Sequence, residues 1–119
     1  MNIQEIKLAT DLLNKLSISK LPTKSVIKIV DLANEINSKA DSFYSARDKV
    51  IKSYGIKSLE ELNKTENKEL DTKLNELINE DFEIDKKYLN FLKKEEFFES
   101  SKENLKVQEI AFLVKILTK

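Results

Sequence analysis

The residues of this chain best placed for chemistry are carboxylates, one arginine and a group of lysines. Glu80, Asp81, Glu83 and Asp85 form the densest acidic run. On a strand, Asp81, Glu83 and Asp85 would share one face, and three hard oxygen donors are what Mg²⁺ or Ca²⁺ requires. The pattern fails the stricter test. A calcium loop beginning at Asp81 needs glycine at its sixth position and glutamate at its twelfth, where Lys86 and Leu92 stand. The run therefore reads as a solvated acidic face, and no metal or other cofactor is expected.

Arg47 is the single arginine beside twenty lysines. It falls within the helical stripe Phe43, Val50, Tyr54, where a guanidinium can lay its stem on apolar surface and offer a planar fork to a carboxylate. Two roles fit: an ion pair with an acid of the second half, such as the run from Glu80 to Asp85, or an anchor for a partner, since arginine and aromatic side chains dominate interface hot spots. Lys20, Lys24 and Lys28, with Lys15, cluster around the first turn, as phosphate neutralisation would require. No aromatic residue lies near them in sequence to stack a base, and the net charge is zero, so direct nucleic-acid binding is not expected.

Much other chemistry is closed. The chain has no histidine and no cysteine, which excludes Ser-His-Asp and Cys-His nucleophiles and zinc sites built on nitrogen and sulfur. One glycine cannot supply a phosphate-cradling loop. The expected protein is non-enzymatic. Without cysteine there is no disulfide framework, and no stretch approaches the ~20 apolar residues of a membrane span, so a cytoplasmic location away from membranes is expected.

The elements that must position these residues are helices. The 119 residues fit one domain, 1–119, and 35% charge with one glycine and one proline favours long helices with solvated faces. Ile3, Ile6, Ala9, Leu13 and Leu16 predict an amphipathic helix over 3–16. Pro22 then sets a turn. From about residue 23 to 54 nothing interrupts the helical stripe Ile29, Leu32, Ile36, Phe43, Val50, and Gly55 stands where a helix cap needs a left-handed residue. At 1.5 Å per residue this helix spans roughly 45 to 50 Å, longer than a compact domain of this size is wide.

Ser58 and Glu61 have capping-box spacing, and Leu70, Leu74, Leu77 and Ile78 predict a helix over about 66–79. Residues 80–98 leave two alternatives open: Phe82 and Ile84 alternate with acids like a short strand, whereas Tyr88, Leu89, Phe91 and Leu92 keep helical spacing. Leu105 to Leu117 is a final helix whose apolar surface is wide enough to be sandwiched in the core or shared with a second copy in a homo-oligomer. The fold expected is a mostly α bundle on one long central helix, with room for a short strand or hairpin near 80–92. Charge divides after Ser58: ten basic against six acidic residues before it, eleven against fifteen after it. The two halves can therefore pack with complementary rims.

The segment LPTKSVIKIVDLANEINSKADSFYSARDKVIKSYG, residues 21–55, resembles a family of small proteins encoded by tailed phages and prophages of Gram-positive bacteria. The matching residues are Leu21, Pro22, Lys24, Arg47, Lys49, Tyr54 and Gly55. ELINEDFEI, residues 76–84, is similar to the family's acidic second segment, and EIAFLVKIL, residues 109–117, to its closing helix. The chain departs from the pattern after Gly55, where the family's acid-rich, glycine-containing turn is missing. The resemblance implies a phage origin, and the function of such proteins is generally unknown. Together with the absent catalytic groups, it leads to the expectation of a protein that binds a bacterial host or phage protein. Inhibition of a defence system such as a CRISPR effector is one form of this, and a virion-assembly factor acting through self-association is the alternative. Arg47, Lys20, Lys24, Lys28, Glu80, Asp81, Glu83 and Asp85 are the candidate contact residues.

Overall fold

A computed structural model describes residues 1–119 as an all-α rod of 51 × 26 × 19 Å. Its radius of gyration of 17.5 Å exceeds the roughly 13.5 Å of a compact chain of this length. The cause is the long uninterrupted helix; the first and fourth helices pack along its sides, while the last two pack on each other, on the first helix and on the turn before the long helix.

Helix α1 spans Ile3–Lys15. Asn2 starts it: its side-chain oxygen accepts from the Glu5 amide at 2.9 Å, while the Glu5 carboxylate accepts from the Asn2 amide at 3.1 Å. A 3-10 turn at Ile18–Lys20 leads to Leu21, extended at φ −97° and ψ 145° as a residue before proline must be. The Pro22 carbonyl accepts from the Ser25 and Val26 amides and opens α2, Thr23–Ser53. Gly55, at φ +76°, turns the chain out of α2.

Helix α3, Leu59–Lys64, is capped by Ser58, which accepts from the Glu61 amide at 3.2 Å. The predicted box closes one residue early, because the Glu61 carboxylate accepts from the Lys57 amide and not from that of Ser58. Asn67 accepts from the Glu69 and Leu70 amides and starts α4, Lys68–Ile78. The chain closes with α5, Lys94–Ser101, and α6, Val107–Leu117.

Residues 80–92 form no α-helix and no strand, so the short strand or hairpin for which the sequence left room is not formed, and helix resumes only at Lys94. The alternation in the sequence is expressed as burial: Phe82 and Ile84 are half-buried, and Asp81, Glu83 and Asp85 are exposed. Pairing, however, is confined to single points. Phe82 exchanges backbone hydrogen bonds with Met1, at 2.8 and 3.0 Å. Further on, a short 3-10 turn, Lys86–Tyr88, is capped by Asp85. Asn90 adopts φ 57°, a left-handed conformation that asparagine tolerates and that stops a helix from propagating. Leu92 then pairs beside Thr118 in an isolated parallel bridge, its amide donating to the Leu117 carbonyl at 2.8 Å.

Two hydrophobic clusters lie along the rod. The larger joins Ile6, Leu12, Leu32, Ile36, Phe97, Leu113 and Leu117 with their neighbours from α1, the first two thirds of α2, α5 and α6. The smaller, at the far end of α2, holds only Ile51, Ile56 and Leu70 as buried members. Helix α4 touches both: Leu70 and Leu74 belong to the small cluster, while Leu77 and Ile78 pack on the large one. Part of the wide apolar surface of α6 is turned inward. Leu113, Ile116 and Leu117 are buried, and Val107 is its exposed large apolar side chain. Ile110, Phe112 and Val114 are half-buried, so α6 buries one face within the chain and keeps part of its apolar surface at the edge.

Candidate functional site: a cation-rimmed groove at the junction of the two cores

Arg47 lies on α2 between Phe43 of the large cluster and Ile51 of the small one. The two clusters do not merge at this position of the stripe. A groove of about 250 Å³ opens there, between Ile3, Gln4 and Lys7 of α1, Phe43 and Arg47 of α2, and Leu74, Leu77 and Ile78 of α4. Its floor is apolar, since Ile3 and Phe43 are buried and the α4 residues half-buried.

The guanidinium is supported mainly by an aromatic ring. Its central carbon stands 5.0 Å from the centre of the Tyr44 ring, one turn earlier on α2, and the Lys7 ammonium stands 5.5 Å from the same ring. Tyr44 in turn meets Phe43 edge to face at 5.3 Å. The expected ion pair with the second half is absent. Arg47 Nη2 approaches only the adjacent Asp48, at 3.5 Å, and the buried Nε has no hydrogen-bond acceptor. The reason is topological: Asp81, Glu83 and Asp85 share a groove with Glu35 and Lys39, near the middle of α2 and two or more turns before Arg47.

Asp81, Glu83 and Asp85 line a separate open groove of about 800 Å³ with Glu35 and Lys39 of α2 and Lys86. Asp81 pairs with the Met1 ammonium at 2.6 Å, and Asp85 accepts from the Lys87 amide at 3.1 Å. Glu80 is exposed just past α4, its amide donating to the Leu77 carbonyl. No three acids of the chain come close enough to share a metal ion.

Lys20, Lys24 and Lys28 are all exposed. Lys20, in the turn, acts electrostatically on Glu99 of α5. Lys28 lies 5.9 Å from the centre of the Phe91 ring, so folding supplies the aromatic neighbour that the sequence lacked locally. Phe91 is itself buried and cannot stack a base.

Three groups have shifted proton affinity. Lys87 is raised by Tyr88 beside it, Glu99 is lowered by its hydrogen bond from Lys102, and Glu109 is lowered by the Lys106 amide. All three lie outside the Arg47 groove.

Sequence reasoning singled out Arg47 and missed Lys7 and Tyr44. Tyr44 was legible, because an aromatic residue three positions before an arginine shares its helix face. Lys7 was not, because only the packing of α1 on α2 brings it to the same ring.

Fold and groove define a class, an elongated all-α protein with an apolar, cation-rimmed groove in its side. No family model matches the chain, and no curated protein or solved structure matches it either. No helix is long and apolar enough to cross a membrane.

Proposed function

We propose that this chain is a non-enzymatic protein of the phage type that acts by binding a bacterial protein, with Arg47 as its anchor. The observation that carries the reading is the state of that arginine. Its guanidinium stands beside an apolar groove with hydrogen-bonding capacity that no acid of the second half takes up. Arginine on an apolar, aromatic-supported floor is the composition that concentrates binding energy at interfaces. The resemblance of residues 21–55 to small phage and prophage proteins supports a host protein as the partner. Inhibition of a defence system, such as a CRISPR effector, is the specific form proposed, because occluding a surface needs no catalytic group.

The test is capture from a lysate of a Gram-positive bacterium, with the wild-type chain and Arg47→Ala as paired baits, and a phage challenge of cells expressing each. A stoichiometric partner lost with Arg47→Ala, and phage protected from host defence only by the wild type, are expected. Recovery of no partner by either bait, with no protection, would refute the proposal.

A further inference from the structure

The rim of the Arg47 groove carries positive charge that its own lining does not balance. Lys7 and Arg47 flank one tyrosine ring at 5.5 and 5.0 Å, and none of the residues lining the groove is an acid. Two cations against one ring raise the local potential and attract an anion. The guanidinium is also short of acceptors. Asp48 meets Nη2 at 3.5 Å, well beyond the 2.7–2.9 Å of a charge-assisted hydrogen bond, and Nε, sealed from solvent, has no acceptor. The guanidinium side chain is 37% exposed, and its outer Nη nitrogens, held only by this long contact, are where an incoming carboxylate can bond.

The floor makes a second demand. Ile3, Phe43, Leu74, Leu77 and Ile78 offer apolar contact that water satisfies poorly. At about 250 Å³ the groove is smaller than the roughly 300–1,000 Å³ of a site that encloses a free small molecule. It suits one large side chain that enters from a larger body.

We propose that the groove receives an acidic segment of a partner protein. A leucine- or phenylalanine-sized side chain lies on the floor, and an aspartate or glutamate close to it bonds the Arg47 fork, with Lys7 as the second cation. This rests on the protein-binding reading above and adds the chemistry of the partner. A nucleic-acid backbone or free phosphate would use the two cations and leave the floor empty. A wholly apolar segment would fill the floor and leave the guanidinium unpaired. The occupant also bridges the two clusters, because Ile3 and Phe43 belong to the large one and Leu74 packs on the small one. Binding therefore holds α4 more firmly against α1.

The experiment titrates the full chain with an amphipathic peptide carrying leucine and glutamate one helical turn apart, with calorimetry for affinity and hydrogen exchange for α4. Glutamate-to-glutamine and leucine-to-serine versions of the peptide, inorganic phosphate and a single-stranded oligonucleotide are the comparisons. Saturable binding of the parent peptide, slowed exchange in α4, and weakening by about tenfold or more with either altered peptide or with Arg47→Ala are expected. Arg47→Lys, which keeps the charge and the stem, serves where the alanine variant does not fold, and it restores only part of the affinity because it lacks the fork. Binding of phosphate or oligonucleotide without the peptide overturns the proposal, as does peptide binding indifferent to Arg47. Arg47-dependent capture of a host protein together with no peptide binding overturns the partner chemistry alone and leaves the protein-binding reading standing.

Discussion

Replacing Leu70 with alanine tests whether the two clusters are energetically distinct. Leu70 is 1% exposed and is the buried residue of α4; with Ile51 and Ile56 it makes up the small cluster. Burial of a side chain of this size contributes about 1.5–3 kcal/mol, so the three together supply roughly 5–9 kcal/mol before the entropy of ordering α3 and α4 is subtracted. Truncation of a buried leucine costs about 2–5 kcal/mol, a large share of that sum. The large cluster, with 17 buried residues, does not depend on Leu70. Leu70→Ala should therefore open α3, α4 and the end of α2 locally, while α1, α5 and α6 stay folded. At about 1.4 kcal/mol per factor of ten, exchange of amides between residues 56 and 75 should accelerate by roughly 30-fold to several-thousand-fold. Amides of α1 and α6 should change by less than about threefold. Hydrogen exchange read by mass spectrometry resolves these segments. Leu32→Ala, in the large cluster, is the control and should spread its effect over α1, α2, α5 and α6. Equal acceleration in every helix of Leu70→Ala would refute the division and make the rod one cooperative unit.

Three further outcomes follow from local geometry. Gly55→Ala should lower stability by about 1–2 kcal/mol, measured by urea unfolding, from backbone strain alone: φ is +76° and no atom lies within 4 Å of an added Cβ. Asn67→Ala should cost about 1 kcal/mol and fray the first turn of α4, seen as faster exchange there, because two amides lose their acceptor. The Glu109 carboxyl is held below its ordinary 4.5 by the Lys106 amide, with Lys15 adding to the effect. Folding favours its charged form, so this stabilisation is complete above about pH 4.5 and fades as pH falls through the lowered value. Thermal melts between pH 3 and 6 should show Glu109→Gln losing part of the wild-type acid sensitivity. Identical pH profiles would remove the contribution.

Much of the helical framework was legible because its signals are local. The stripe from Ile29 to Tyr54 needs only the 3.6-residue period, and Pro22 and Gly55 mark its ends through backbone geometry that each residue carries wherever it stands. The segment 80–98 resisted reading for the opposite reason. Phe82 and Leu92 are fixed by Met1 and by Leu117 and Lys119, at opposite ends of the chain, and α5 begins only at Lys94. Arg47 could be singled out by its type and its position in the stripe. The acid expected to pair with it was wrong, because sequence separation does not reveal which stretch of a 31-residue helix a distant segment meets.

The sequence by itself determined a mostly α chain organised on one long helix, without histidine or cysteine chemistry, and with one arginine set in an apolar stripe. Each of these follows from composition or from the spacing of neighbours along one helix. Only the tertiary structure decided that the apolar residues divide into two clusters, that Leu113, Ile116 and Leu117 of α6 are buried within the chain, and that Lys7 and Arg47 share a ring at the junction. Those features depend on which helices meet, and that is set by the combined burial of side chains far apart in sequence.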